Sequence, residues 1–472
     1  MFTRRRAIGA LAAGLGVGTG AAHAAPKGPR RLVIEGATVL TMRDDAAPVP
    51  RARVVVEGDR IAEVSPAAGP APQGLRVDGR GKWLLPGFTD MHVHLPNDGF
   101  ARMLPKPARA GFPRIDTQDQ LTPFVANGVT QVFNLSALAE SVGQATEVET
   151  GRALGPHIAN AAMIDGVPPI WTGLARGVAS PSDGRQAVRD AETEGYRFIK
   201  VYSRLDLATF LAVVEEARGR GMRVLGHIPD AVRGHTEAAF VPGYDLVVHA
   251  EEYAKQSPDL NDADIRRFAD LARRNGTWLT PTLTTSQWVF LQTRSLDELR
   301  ALPTLRYLHP MLAHSWLADN TYARRATPER LARFERIVDF DRRLARTFAE
   351  AGVPQMVATD AMNPGMVPGF SIHDELLAMA EAGLSNADVL AGATRLPAEW
   401  LGVERDRGTI EVGKRADLVL LDADPLADLR STRAIHGVLL GGRWLPRAEL
   451  DARLAALAER NAAVAASLPR PG

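Results

Sequence analysis

Between Trp83 and Thr359 the chain repeats one kind of unit, a short apolar or β-branched run followed by a helix-length segment. Eight such runs can be counted: Trp83–Leu95, Val129–Leu135, His157–Ile164, Phe198–Tyr202, Val224–Ile228, Leu246–His249, Trp278–Leu283 and Gln355–Thr359. Helix-like segments such as Leu207–Arg220, Asp262–Arg274 and Arg342–Ala351 separate most of them. Strands that alternate with helices pair in parallel, because each helix carries the chain back across the sheet. Eight units predict an α/β chain closed into a (β/α)8 TIM barrel, with its functional site where the strands end on their C-terminal side.

The flanks read differently. Leu32–Gly36, Thr38–Leu40, Arg53–Gly58 and Arg60–Val64 precede the barrel, and Asp417–Leu421, Ile435–Leu440 and Gly441–Trp444 follow it. Gly, Asp and Pro punctuate these runs, as between short strands. They predict a composite β-sandwich from residues 25–85 and 403–450, around a barrel over 86–402. Residues 451–472 form a C-terminal tail whose Ala-rich stretch, Leu454–Ser467, reads as an amphipathic helix docked on the surface. The long stretch 284–354 carries Trp288, Tyr307, Trp316 and Tyr322. Two readings stay open for it, a lid or substrate wall and plain helical decoration.

Residues 1–24 combine Arg4-Arg5-Arg6, a weakly apolar Ala/Gly/Leu run and the small-residue site Ala22-His23-Ala24. This pattern predicts a signal peptide of twin-arginine type, hence export of a folded protein through the twin-arginine machinery to a bacterial periplasm or beyond. No other stretch approaches the ~18 apolar residues of a spanning helix, so no stable membrane anchor is expected. The chain has 56 Lys+Arg and 55 Asp+Glu; without residues 1–24 the counts are 53 and 55. That balance gives no electrostatic reason to expect nucleic acid. The absence of cysteine excludes disulfides, iron–sulfur clusters, thiolate zinc sites, a thiol nucleophile and a lipid-anchored N-terminal Cys.

The chemistry is concentrated at the ends of the strand candidates. His92 and His94 lie two apart in Pro86-Gly87-Phe88-Thr89-Asp90-Met91-His92-Val93-His94, so they share one face of a strand. His227 ends the fifth run, His249 the sixth, and Asp360 the eighth. Lys200 lies inside the apolar run Phe198-Ile199-Lys200-Val201-Tyr202, where burial is costly unless the amine is paired or chemically altered. Each has a plain alternative: a hydrogen-bonded core histidine, a lysine reaching the rim, an aspartate capping the next helix. Six metal-competent groups at the ends of strands 1, 4, 5, 6 and 8 together predict a metal site.

These motifs resemble the amidohydrolase superfamily, in its imidazolonepropionase-like and prolidase-like branch. The resemblance rests on the first-strand motif above and on Gly392-Ala393-Thr394-Arg395-Leu396-Pro397-Ala398 with Gly408-Thr409-Ile410-Glu411-Val412-Gly413-Lys414-Arg415-Ala416-Asp417-Leu418-Val419, where the chain leaves the barrel. It covers nearly the whole chain after residue 24. It implies two divalent metal ions, usually zinc. His92, His94 and Asp360 would hold one, and His227 and His249 the other. A carbamate on Lys200 (N6-carboxylysine) and a hydroxide would bridge them. Asp360 would move the proton from the attacking water to the leaving group. A mononuclear deaminase would need an extra acid after the fifth-strand histidine, but His227 is followed by Ile228-Pro229-Asp230-Ala231.

The resemblance points to hydrolysis of a C–N amide bond, of a dipeptide (Xaa-Pro dipeptidase-like) or an N-acyl amino acid. Opening of a cyclic amide, as by imidazolonepropionase or hydantoinase, is the alternative chemistry, and phosphotriester or lactone hydrolysis uses the same site. An exported metal-binding protein without turnover is a further alternative, against which the complete ligand set argues. A homo-oligomer is compatible with all of these. Tyr202 shares the inward face of Lys200 and could bind a substrate carbonyl or carboxylate, or simply pack. Arg204 could pair a substrate carboxylate or remain solvated. Glu251 and Glu252 are candidate partners for imidazole N–H groups, and His373 is placed at a helix start or behind a ligand. His157, His235, His309, His314 and His436 show no pattern and read as structural or exposed.

Overall fold

Consecutive apolar residues in the first segment, Leu32-Val33-Ile34 and Val54-Val55-Val56, form strands that are buried on both faces over part of their length. β1 (Arg31–Val39) pairs antiparallel with β2 (Val49–Glu57), and β2 with β3 (Arg60–Pro66). β4 (Leu75–Asp78) and β5 (Trp83–Pro86) both pair parallel with β1, at Leu32–Glu35 and Thr38–Val39 respectively. The computed structural model describes residues 31–44, 46–70, 72–97 and 115–467, and the predicted signal, residues 1–24, lies outside them.

The run predicted as one strand over Trp83–Leu95 is divided at Gly87. β5 belongs to the end sheet, whereas β6 (Phe88–Val93) starts the barrel. A Cβ at Gly87 would lie 2.2 Å from Thr130 Cγ2, so only glycine lets the chain cross from one sheet to the other here. The barrel continues through β7 (Val129–Asn134), β8 (His157–Gly166) with its side branch β9 (Arg176–Val178), β10 (Phe198–Val201), β11 (Arg223–Gly226), β12 (Tyr244–Val248) and β13 (Trp278–Thr280). The path β6-β7-β8-β10-β11-β12-β13 is parallel throughout.

The eighth run, Gln355–Thr359, closes the ring without forming a ladder. Met356 N donates to Leu279 O at 2.9 Å on one side, and Met91 N donates to Val357 O at 3.1 Å on the other. Isolated parallel bridges join Leu279 to Gln355 and Val93 to Ala361. The ladder fails because Val357 N and Thr89 N donate instead to Gly392 O and Ala393 O, at the end of the helix Asn386–Gly392. Among the described residues the barrel therefore has seven regular strands and a hydrogen-bonded seam. Met91, Phe133, Leu225, Leu246, Met356 and Trp400 cluster in one buried core, and Trp400 stacks on Phe198 where β10 begins.

The end of the chain returns to the first sheet. β14 (Leu418–Leu421) pairs antiparallel with β5, β15 (Ile435–Leu440) with β14, and β16 (Arg443–Pro446) with β15. The two chain ends thus build one eight-strand sheet, branched at β1, the separate composite β domain expected from them. The C-terminal helix starts at Arg447, earlier than expected, and runs to Ser467. Leu450, Leu454 and Leu457 are buried, and Arg460 pairs with Asp119 of the helix Thr117–Ala126.

His157, without a pattern in the sequence, pins the barrel to the end sheet. Its Nδ1 lies 2.6 Å from Glu149 Oε1 and its Nε2 3.0 Å from Asp417 Oδ2. Burial opposes its charge, but the two carboxylates override burial and raise its pKa. Asp417 is held low by the same histidine despite its own burial. Because His157 titrates higher in the fold than its ordinary ~6.5, its contribution is complete below that pH and fades as pH rises through the raised value. The carboxylate contributions fade in the opposite direction, on acidification below the usual range near 4. His157→Gln should lower stability by about 3 kcal/mol near pH 6, by leaving Asp417 buried and uncompensated. Denaturant melts across pH 5–9 should show the gap to wild type narrowing at high pH, and a constant gap would remove the charged clasp.

Candidate metal centre

The pleat turns His92 inward from β6 and the chain just beyond the strand brings His94 beside it. Their Nε2 atoms are 3.2 Å apart, and Asp360 Oδ1 lies 3.1 Å from His92 Nε2 and 3.0 Å from His94 Nε2. His92, His94 and Asp360 form a group able to hold a metal ion, with one ligand atom from each converging on the same point. Lys200, on β10, is 1% exposed, and its Nζ meets His92 Nε2 at 3.1 Å. Burial pulls its ammonium down to about 8, partly offset by Asp360 and Glu252.

His227 and His249 arrive from the next two strands. The His249 ring lies 4.7 Å from that of His92 and 5.2 Å from that of His227. Gly226 sets the first of these positions: a Cβ there would fall 2.1 Å from Val201 O, and its φ is +138°. All six groups predicted from the sequence are therefore gathered at one end of the barrel.

Three imidazoles are oriented by their Nδ1 atoms. His94 Nδ1 contacts Ser136 Oγ at 2.8 Å, His249 Nδ1 contacts Thr282 Oγ1 at 2.7 Å, and His227 Nδ1 lies 2.8 Å from Glu252 Oε1. This leaves the Nε2 atoms for the centre, the arrangement that metal-ligating histidines need. His227 Nε2 is buried with no hydrogen-bond partner. Burial, reinforced by Lys200 and neighbouring imidazoles, holds His92 well below its ordinary range, and His249 falls to about 3. Neutral imidazoles with free lone pairs beside a carboxylate fit a divalent cation.

The strand ends that present these ligands are bent into left-handed backbone: φ is +74° at His249, +49° at Thr282, +56° at Asp360 and +89° at Met362. Each non-glycine residue so held costs on the order of 1–3 kcal/mol, and such sites cluster where function demands them. Two buried acids hold the bends. Asp90 Oδ1 accepts from Thr359 N at 3.0 Å and its Oδ2 from Thr359 Oγ1 at 2.6 Å, next to Asp360. Glu375 accepts from Leu283 N and Thr284 N, each at 2.8 Å, and so fixes the turn that aims Thr282 at His249. Burial raises each of these carboxyls to about 7. Sequence reasoning overlooked both. Asp90 stands two residues before His92 and so on the same face, a signal that was available. Glu375 carried none, because its partners are some 90 positions away.

The remaining candidates divide. Tyr202 stacks on His227 at 3.8 Å, with its hydroxyl accepting from Trp171 Nε1 at 2.7 Å. Arg204 is exposed, and its guanidinium donates to Pro168 O at 2.6 Å, which braces the loop after β8. Glu252 serves His227, while Glu251 pairs with Lys255 at 3.5 Å. His373 is buried in the first turn of the helix Ser371–Glu381, bonded to Thr432, away from any ligand role. Asn363 Nδ2 donates to Asp360 Oδ2 at 3.2 Å. A cleft leads from His94 and Met362 past Phe124 to Leu308, Leu312 and Leu457. The stretch 284–354 thus walls a cleft that opens on the centre, which favours the first of its two readings.

Thr282→Val should weaken metal binding about 10–100-fold, the usual effect of losing a group that orients a ligand, while Thr282→Ser should restore it. Metal competition titrations on the two folded variants check this, and equal affinities would remove the role of the hydroxyl.

The model of the amidohydrolase family matches residues 83–445, across the barrel and the strands that return to the end sheet. An imidazolonepropionase of Maricaulis maris is 41% identical over 98 residues, which is 20% of this chain and 24% of that relative. The match thus spans about a quarter of its length. The bottromycin amidohydrolase AH has a similar structure, with a TM-score of 0.70 at 25% identity, covering 91% of each chain. A Xaa-Pro dipeptidase with bound methionine in its active site aligns with a TM-score of 0.66 at 20% identity, over 88% of this chain and all of the other, and shares the fold. The chain belongs to the amidohydrolase family.

Proposed function

We propose that this chain is an exported, metal-dependent hydrolase of a C–N amide bond, acting on a dipeptide or an N-acyl amino acid. The observation that carries this reading is the meeting of His92, His94 and Asp360 at one point, with Lys200 Nζ 3.1 Å from His92 Nε2. His92, His94 and Asp360 would hold one ion, His227 and His249 a second, with zinc the ion proposed for both. Lys200 would carry the anionic group between them. Two such ions supply Lewis acidity, which activates water and polarises a carbonyl.

The chain's own groups do the rest. Lys200, with its ammonium pulled down to about 8, reaches the neutral amine that adds carbon dioxide. The ammonium loses one proton to become that amine and a second as the N–C bond forms, so a buried cation becomes an anion able to pair with the ions, which offsets the cost of burying it. Burial pushes Asp360 up, but its contact with His94 and the positive field of its neighbours, Lys200 among them, outweigh burial and keep it an ionised carboxylate facing the centre. It takes a proton as water oxygen bonds to the scissile carbon, and gives it to the departing amine nitrogen as the C–N bond breaks. Asn363 keeps the second Asp360 oxygen in place. Tyr202 is near enough, against His227, to orient the carbonyl or carboxylate of a bound amide.

Opening of a cyclic amide is the second reading, supported by the stretch shared with an imidazolonepropionase. A panel of dipeptides, N-acyl amino acids and cyclic amides separates the two by which class is turned over. Export rests on residues 1–24. Arg4 and Arg5 both replaced by Lys should leave the protein in the cytoplasm, and undiminished export would remove the twin-arginine route.

Elemental analysis should find close to two zinc per chain, and a metal-free active enzyme would overturn the centre. Asp360→Asn should lower kcat by about 10²–10⁴-fold. Lys200→Ala should lose metal and activity, with partial rescue by short carboxylic acids that replace the carbamate. Full metal content without rescue would discredit the carbamate.

A further inference from the structure

Six large apolar side chains stand exposed among the described residues, and three of them fall within five positions of one loop: Val167, Ile170 and Trp171. Such a cluster is informative where single exposed apolar residues are not. The loop follows β8, so it lies at the end of the barrel that carries the metal centre.

The loop is braced in this exposed form. Asp165 is fully buried, and its Oδ1 accepts from Gly166 N at 2.9 Å and Arg204 N at 2.8 Å, while Oδ2 accepts from Ile170 N at 2.8 Å. The Arg204 guanidinium holds Pro168 O at 2.6 Å. Trp171 Nε1 donates inward to Tyr202, whose ring covers His227. Trp171 therefore ties the exposed loop to the centre through Tyr202 and His227. Its polar edge faces the ligands and its apolar body faces solvent, the arrangement by which tryptophan lines a surface that is wet at one end and apolar at the other.

We propose that Val167, Ile170 and Trp171 form a subsite for the apolar acyl or side-chain group of the amide substrate. This rests on the amide-hydrolase reading and narrows its substrate class to molecules with a polar amide end and a bulky apolar end. Arg204 and Asp165 act as positioning residues for that subsite, which accounts for an arginine on the active-site rim that faces a backbone carbonyl.

The test uses the metal-loaded, full-length protein after export, with N-acetyl-, N-butanoyl-, N-hexanoyl- and N-octanoylglycine as probes. kcat/KM should rise at least tenfold from acetyl to octanoyl, mostly through KM, and Val167→Ser/Ile170→Ser should compress that rise to threefold or less. A flat series in the wild type, or the same rise in the variant, would overturn the subsite. The emission of Trp171, taken as the difference between wild type and Trp171→Phe, gives a readout that needs no turnover. A response to octanoylglycine but not acetylglycine, without hydrolysis of either, supports the subsite and defeats the amide reading. No response and no hydrolysis defeats both. A concentration-dependent dimer abolished by Ile170→Ser, or binding to anionic vesicles lost in that variant, would assign the patch to a second copy or a membrane and overturn the proposal.

Discussion

The burial of five hydrophilic groups, with His94 half-buried beside them, at the mouth of one barrel is the constraint on which the rest of this structure depends. Four imidazoles, an amine and a carboxylate share a space where water would otherwise solvate each of them. Isolated in an apolar interior, any one would carry a penalty of several kcal/mol. Together they are tolerable because the histidines stay neutral and their Nε2 lone pairs converge with the Asp360 carboxylate on one point. That arrangement is pre-formed for a cation and poor for anything else.

Holding it demands rigidity, which the fold supplies from behind. Two carboxylates, Asp90 and Glu375, are sealed in the core, where each accepts paired hydrogen bonds from the turns beside a ligand. Their logic is shared: an acid on one element receives backbone N–H groups from another and fixes a threonine, and the threonine is next to, or bonded to, a ligand. The left-handed residues at His249, Thr282 and Asp360 persist because these contacts over-determine them. The barrel has in turn to be held against the end sheet. Asp417 does this by accepting from Gly441 N and meeting His157 across the junction, while Gly87 N donates to its carbonyl.

Much of this was legible in the sequence. Strand–helix alternation predicted a parallel barrel, since period-2 and helical patterns switch at every crossover. His92 and His94 announced themselves by parity, and His227, His249, Lys200 and Asp360 by their places at strand ends or in an apolar run. The misreadings share a cause. The break at Gly87 and the missing ladder at Gln355–Thr359 depend on which strand or helix end a backbone N–H faces, and pattern carries no such information. His157 had no periodic context and proved to join two parts of the fold.

What the sequence determined by itself was the inventory: the alternation of strands and helices, the ligand-competent groups and their order along the barrel. Each follows from local periodicity or residue chemistry, which act over a few positions. Only the tertiary structure decided which nitrogen of each imidazole is free, which acids brace the ligand turns, how the two chain ends join into one sheet, and that an apolar loop is fixed beside the centre. Those outcomes depend on contacts between residues tens to hundreds of positions apart. They are set by the closure of the barrel, which no local pattern encodes.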